Sequence, residues 1–413
     1  MRAVFAGVGT VPQMNDAPVT AVRADGGPGV PVAAMPDYGG ACLSSVVPAL
    51  LSALSGAVGA SERPDVPAWV PAPVQGARQV VLLVLDGLGW DQLQASGTAA
   101  PTLRAATGGP ITSVAPTTTA TALTSITTGV PPAVHGVVGY RLRVDVDGPG
   151  GDGPGDVMNV LRWRTVRGDM RRRLPPPLFQ RVPPFGGRAV PAVTRSEFAS
   201  TGFTAAHLTG ARLVGWSVPS ALVVGVRRLL AAGETFVYAY YDGLDKIAHE
   251  HGLGEFYRQE LGAVDRLVAD LLDVLPAGAV LAVTSDHGQV EVGNAVRLPD
   301  PALFEMVELL SGEGRFRWLH VRPGSLDDAV AVAQEAHGDE AWVRTRDQMV
   351  EEEWFGGSLP AEFARRLGDV ALVAHAPVAF LDPADTGETR LMARHGSLTA
   401  AEMAVPFVSW APH

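Results

Sequence analysis

The sequence predicts an α/β protein whose central, mostly parallel sheet is sandwiched between helices. Three observations predict it. Residues 80–85, 236–241 and 279–284 are apolar runs without alternation, the pattern of strands buried on both faces. Between them, apolar residues recur at helical spacing, as in Val264, Leu267, Val268, Leu271, Leu272 and Leu275. Each run also leads into an acid and then a glycine: Asp86-Gly87, Asp242-Gly243 and Ser285-Asp286-His287-Gly288. Open α/β sheets bind their ligands at the carboxyl ends of parallel strands.

Size and composition set the frame. With 413 residues, 47% of them hydrophobic and 18% charged, the chain is long and core-forming. We read it as one domain over 1–413, with an irregular N-terminal arm at 1–40 and insertions at about 141–195 and 300–385. The 32 basic and 43 acidic residues give a net charge of −11, which argues against a nucleic-acid partner. A small anionic substrate is still compatible, because bound cations reverse a local field. Cys42 is the only cysteine, so neither an intrachain disulfide nor a thiolate metal cluster is expected. Residues 1–35 lack a sustained apolar core of a leader, and no stretch reaches the roughly 18 apolar residues of a membrane span. No membrane partner and a cytoplasmic location are the expectation.

In chain order, Leu43, Val46, Val47, Leu50, Leu51 and Leu54 predict an amphipathic helix at 42–58. A Pro-rich connection leads to the strand that ends in Asp86. A helix is expected at 91–106 and a strand at 111–114. Pro116 and the run Thr117-Thr118-Thr119 mark a helix start, and Gly129 with Pro131 and Pro132 its end. A threonine in that first turn faces unpaired N–H groups, which favour an anion. Residues 145–155 form a Gly/Asp-rich loop, and Arg162, Arg164, Arg167 and Arg171-Arg172-Arg173 a basic run. That run is either solvated surface or a lid over a phosphate group. A strand and a helix at 217–232 precede the run 236–241, and a last strand spans 405–410.

The chemistry-bearing side chains gather at the predicted strand ends: Asp86, Asp245 with His249, Asp286 with His287, and His395 from a final His-Gly. Asp245 and His249 are four apart and share a helix face. Asp242 and His251 lie off that face and rank lower. Carboxylates mixed with imidazoles suit Zn²⁺ or Mn²⁺ better than Ca²⁺ or Mg²⁺, which prefer oxygen alone.

These motifs are specific in combination: strand-Asp-Gly, a Thr helix closed by Thr128-Gly129-x-x-Pro132-x-x-His135-Gly136-x-x-Gly139, Asp-x-x-x-His, Ser-Asp-His-Gly and the last His-Gly. From about Val80 to Pro412 the chain resembles the alkaline phosphatase superfamily, in its type I phosphodiesterase/nucleotide pyrophosphatase branch. The resemblance implies two divalent ions, Zn²⁺ with Mn²⁺ as the alternative. Asp86, Asp286, His287 and the nucleophile oxygen would form one site; Asp245, His249 and His395 would form the other. It implies Thr119 as nucleophile, with Thr118 its nearest competitor, and a structural His135. The implied reaction is hydrolysis of phosphodiester or pyrophosphate bonds through a phospho-threonine.

Two departures bear on the substrate. Tyr140 stands where that branch commonly has an Asn on a phosphate oxygen, and Ala120-Thr121-Ala122 replaces its usual Phe-Pro-Asn. Tyr140 is therefore the candidate substrate-binding residue, and the substrate is expected to be a small phosphorylated molecule. A phosphomonoesterase or phosphonate hydrolase of the same fold is the alternative, with Arg162 and Arg164 as charge donors. An inactive binding homologue is a third reading. The retained metal-type side chains argue against it.

Overall fold

The computed structural model describes residues 31–56, 66–145, 155–385, 387 and 390–410. Seven strands build the central sheet: β1 (Gln79–Leu85), β2 (Thr107–Thr112), β3 (Pro191–Arg195), β4 (Arg212–Trp216), β5 (Phe236–Tyr241), β6 (Ala279–Thr284) and β7 (Ala404–Ser409). Their order is β2-β7-β6-β1-β5-β3-β4. β1 runs parallel to β6 and β5, and β3 parallel to β5 and β4. β7 alone is reversed, antiparallel to both β6 and β2.

The apolar run of β1 explains itself in this position. Val80, Leu82 and Val84 pack under α1 (Leu43–Gly56) and α2 (Thr119–Thr128). Val81, Leu83 and Leu85 face α3 (Pro219–Ala231) and the long helix at Glu255–Asp273. All six are fully buried, and each such side chain contributes ~1.5–3 kcal/mol relative to exposure. Removing alternation is what two covered faces require.

Several expectations need correction. The helix expected at 91–106 is two short ones, Trp90–Gln94 and Pro101–Arg104. Gly97 turns the chain with φ +58°, and Pro101 opens the second helix at its first turn. The strand expected at 111–114 begins earlier, at Thr107, because Gly108-Gly109-Pro110 reads as a turn but pairs with β7. Ahead of the helix expected at 217–232 stand two strands, β3 and β4, where one was expected. β4 is an edge strand with mostly exposed side chains, so no apolar pattern marks it.

Two excursions frame the sheet's carboxyl edge. In the segment 141–195, Arg141–Val144, Asp156–Asn159, Arg164–Thr165 and Gly168–Asp169 form a small antiparallel sheet. That segment's last residues are β3, a central strand, so the excursion closes near 190. The segment 300–385 carries a second antiparallel sheet, ordered Val307–Glu313, Phe316–Val321, Val370–Ala374, Ala341–Thr345. Of the N-terminal arm, 1–30 fall outside the described residues, as does most of the loop 145–155. The remainder lies on the domain: Ala33 is buried, and the Trp342 indole donates to the Pro31 carbonyl at 2.8 Å. No described helix is long and apolar enough to cross a membrane.

Candidate active site

β6, β1 and β5 are neighbours and parallel, so their carboxyl ends open on one rim. Asp86 follows β1, Asp286 follows β6, and α4 (Gly243–His251) follows β5. Gly87 turns away from β1 at φ +77°. A Cβ there would stand 2.8 Å from Gln289 Nε2 and 3.0 Å from Asp245 Cα, so only glycine lets the two segments meet.

Asp86 is buried, and the Tyr240 hydroxyl donates to its Oδ2. Its Oδ1 accepts no hydrogen bond among the described residues and lies 3.4 Å from His287 Nε2. Asp286 Oδ1 accepts from the backbone N–H of Gly87 at 3.1 Å and of His287 at 3.0 Å. Its Oδ2 also accepts none, 3.5 Å from His287 Nε2. Burial, then repulsion from Asp286 and Asp245, pushes the Asp86 carboxyl well above the usual range. Burial likewise raises Asp286, with His287 opposing and Asp245 adding to the shift.

On α4, Asp245 and His249 sit one turn apart, His249 Nε2 being 3.3 Å from Asp245 Oδ1. His395 Nε2 approaches the same oxygen at 3.8 Å, and its ring stacks on His287 with centroids 3.5 Å apart. The three imidazoles are oriented alike. Nδ1 of His249 faces the Ala393 carbonyl at 2.8 Å, that of His395 the Thr117 carbonyl at 2.9 Å, and that of His287 the Gly288 carbonyl at 3.1 Å. A carbonyl only accepts, so each Nδ1 carries a proton and each Nε2 is the atom turned toward the carboxylates. Burial, then His287 and His249, holds His395 well below its ordinary pKa, which keeps that ring neutral.

Ligand atoms of Asp245, His249 and His395 lie within 4.8 Å of one another, and so do those of Asp86, Asp245 and His287. Orphaned carboxylate oxygens, Nε2 atoms turned into the site and a mixed oxygen/nitrogen donor set fit divalent cations of the Zn²⁺/Mn²⁺ kind. One feature was absent from the sequence reading: Asp245 belongs to both groups. Gln289, directly after Ser-Asp-His-Gly, donates to Asp245 Oδ1 at 2.6 Å.

Thr119 opens α2, and its Oγ1 lies 3.2 Å from His287 Nε2. Thr118 is the N-cap residue and borders the polar cavity described below. The entry to α2 is tied to the His395 segment. Thr117 Oγ1 donates to the Ser397 carbonyl at 2.7 Å and accepts from Gly396 N at 3.0 Å. Further along α2, Thr124, Thr127 and Thr128 donate to carbonyls one turn back, which is how a hydroxyl-rich helix stays buried.

Two cavities meet at Thr119 and Asp245. One, of about 440 Å³, is polar, with Tyr140, Asn159, Arg162, Glu313 and Arg394 on its walls. The other, of about 500 Å³, is lined by Leu123, Phe198, Phe203, Leu208, Tyr238 and Tyr240 and rimmed by Arg164 and Lys246. Tyr140 is in the polar cavity, where its hydroxyl accepts from Asn159 Nδ2 at 2.6 Å. Asn159 comes from the first excursion, and sequence reading missed it because nothing near it resembles a motif.

The remaining residues sort plainly. Asp242 pairs with Arg195 and Lys246, each at 2.6 Å. His251 stacks on Phe256 away from the site. His135 bonds Ser125 Oγ at 2.8 Å and accepts from Val137 N, and burial takes its pKa down to about 3. In the basic run, Arg162 and Arg164 reach the cavities, whereas Arg167 and Arg171 pair with Asp156 and Asp169.

The family model for type I phosphodiesterase / nucleotide pyrophosphatase matches residues 80–398. The chain belongs to that family. It is a hydrolase of the alkaline phosphatase superfamily, in a family that depends on metal ions. Among solved structures, murine ectonucleotide pyrophosphatase / phosphodiesterase 5 shares 15% identity over 80% of this chain and 87% of that one, with TM-score 0.59. Another structure of that murine protein holds AMP. Phosphonoacetate hydrolase from Sinorhizobium meliloti 1021, in complex with phosphonoformate, shares 20% identity over 83% of this chain and 90% of that one, with TM-score 0.58. At these identities the likeness is one of fold. No curated protein matches the sequence.

Proposed function

We propose that this chain hydrolyses phosphodiester or pyrophosphate bonds of a small phosphorylated substrate, with Thr119 as nucleophile and two divalent ions as cofactors. The observation that carries the reading is Thr119 Oγ1, at 3.2 Å from His287 Nε2, the atom that lies 3.4 and 3.5 Å from the orphaned oxygens of Asp86 and Asp286. Asp86, Asp286 and His287 would hold one ion, Asp245, His249 and His395 the other. Bound there, such ions make a hydroxyl acidic and neutralise phosphoryl oxygens.

The chain's own groups do the rest. The first turn of α2 has N–H groups with no intrahelical acceptor, and they meet the phosphoryl oxygens. Thr119 Oγ1 attacks phosphorus, the bond to the leaving oxygen breaks, and a phospho-threonine results. Water then cleaves that ester and restores the hydroxyl. Two cavities converging on Thr119 favour a phosphorus with two substituents: the aromatic-lined one takes an apolar organic group, the polar one its partner. Nucleic acid is no part of the reading, given the net charge of −11.

A phosphonate substrate with a second anionic group is the other reading, favoured by Arg162 and Arg394 in the polar cavity. Assay of the full chain with Zn²⁺ or Mn²⁺ against bis-p-nitrophenyl phosphate, p-nitrophenyl phosphate and phosphonoacetate separates them. We expect the diester to lead in kcat/KM by at least about tenfold, the worth of roughly 1.4 kcal/mol of substituent binding. A faster monoester or phosphonate removes the diester reading. No turnover with both ions bound removes catalysis.

A further inference from the structure

A third cavity, of about 390 Å³, lies where the two excursions meet and shares no lining residue with the two at Thr119. Arg143, Arg173, Arg181, Arg365 and Arg366 line it against two carboxylates, Asp145 and Glu362. In a chain of net charge −11, that concentration of guanidinium groups is a local reversal of sign.

The ion pairs present do not cancel it. Arg143 meets Asp145 at 3.3 Å, and Arg181 meets Glu362 at 3.2 Å across an exposed gap, where a pair contributes little. Arg173, Arg365 and Arg366 have no ion pair among the described residues. Arg366 is the telling one. It is buried, with its guanidinium 3.6 Å from the Phe179 ring centroid and 4.6 Å from that of Phe363. Its nitrogens donate to the carbonyls of Gly136 at 2.5 Å and Phe179 at 3.3 Å, and to no carboxylate. Burial lowers its pKa to about 9, with Glu362 opposing and Arg181 adding to the shift.

Guanidinium forks match phosphate oxygens two at a time. Several forks round one cavity select an anion that carries several such groups. We propose that this cavity is a second anion site, remote from the metal-type residues, for a small molecule bearing two or more linked phosphates. Leu174 and the exposed Leu178 give it an apolar lip. Binding there acts on the chain near the catalytic cavity: Arg366 holds the Gly136 carbonyl, four residues before Tyr140, and its own carbonyl accepts from Arg143 N at 3.2 Å.

The test is calorimetric titration of the full chain with inorganic tripolyphosphate, in the T119A background so that no probe is consumed. A second sample adds R173A/R365A, two exposed positions whose loss leaves the core intact. We expect R173A/R365A to weaken tripolyphosphate binding at least tenfold and, in otherwise unaltered protein, to leave diester turnover and thermal midpoint unchanged. Orthophosphate should bind at least tenfold more weakly than tripolyphosphate. Equal affinity with and without R173A/R365A would place the probe at the metal-type residues and overturn the proposal. Absence of binding would overturn it too, and orthophosphate binding as tightly as tripolyphosphate would overturn the linked-phosphate class.

Discussion

Gln289→Leu isolates the support of one carboxylate. Gln289 is buried, and its Nε2 donates to Asp245 Oδ1 at 2.6 Å, on the acid common to both ligand groups. A hydrogen bond to a charged acceptor contributes ~1.5–3 kcal/mol, and loss of a group that orients a metal ligand typically costs ~10–100-fold in affinity. The two figures agree, since ~1.4 kcal/mol is tenfold. Leucine keeps the volume, and the bond from Gln92 Nε2 to the Gln289 carbonyl at 2.9 Å survives because it is made to backbone. The amide Oε1 accepts no bond among the described residues, so the bond lost is the one from Nε2 to Asp245. Competition with a chromophoric chelator for Zn²⁺ measures the effect. The expected result is ~10–100-fold weaker binding. Zn²⁺ affinity within threefold of the unsubstituted chain would refute a positioning role for Gln289.

Two further outcomes are expected. Thr119→Ala should lower diester turnover by ~10³-fold or more while metal content stays near two per chain; the same loss from Thr118→Ala alone would move the nucleophile by one residue. His320→Gln tests a buried histidine far from the site, bonded to Ser311 Oγ at 2.8 Å, whose pKa falls to about 3 through burial and then Arg143 and Arg346. In the native state its ring is neutral, whereas below about pH 6.5 the unfolded chain binds a proton there, so acid favours unfolding. The unsubstituted chain should lose ~2 kcal/mol relative to His320→Gln between pH 6.5 and 5 in urea unfolding. Parallel stability curves would contradict this.

What the sequence revealed, and what it hid, follows from the range of the interactions concerned. β1, β5 and β6 are central, covered on both faces, and therefore announce themselves as unbroken apolar runs. β4 is an exposed edge and β2 starts in Gly-Gly-Pro; both exist only because a neighbour supplies their hydrogen bonds. The side chains brought to the rim drew notice because most of them come just after an apolar run and near a glycine. Gln289, Tyr240 and Asn159 did not. Their importance lies in contacts to residues 44, 154 and 19 positions away, and no local pattern encodes those. Gln289 alone had a signal, its place directly after a ligand-bearing turn. Asp245 as a shared carboxylate was equally out of reach, since spacing fixes which residues share a helix face but not which loop faces that helix.

The single reversed strand has a reason that the site supplies. Adjacent strands are ~4.8 Å apart, so the ends of β6 and β1 set Asp286 and Asp86 side by side, close enough to flank one imidazole, His287. A residue reaching the same rim from the far end of the chain must come from a segment that passes beyond the carboxyl end of β6. In the pairing of β6 with β7, Thr284 stands opposite Phe407, so the chain before Phe407 lies past Thr284, and Gly288 N donates to the Glu402 carbonyl at 2.8 Å. From there the segment reaches back to His395 and its bond to Thr117. Were β7 parallel to β6, a six-residue strand at ~3.3 Å per residue would carry its preceding loop ~20 Å away, to the opposite rim. His395 would then be lost to Asp245, and the tie between Gly396 and the entry of α2 with it. Reversal of β7 is thus the topological condition for an imidazole from residue 395 to meet a hydroxyl at residue 119.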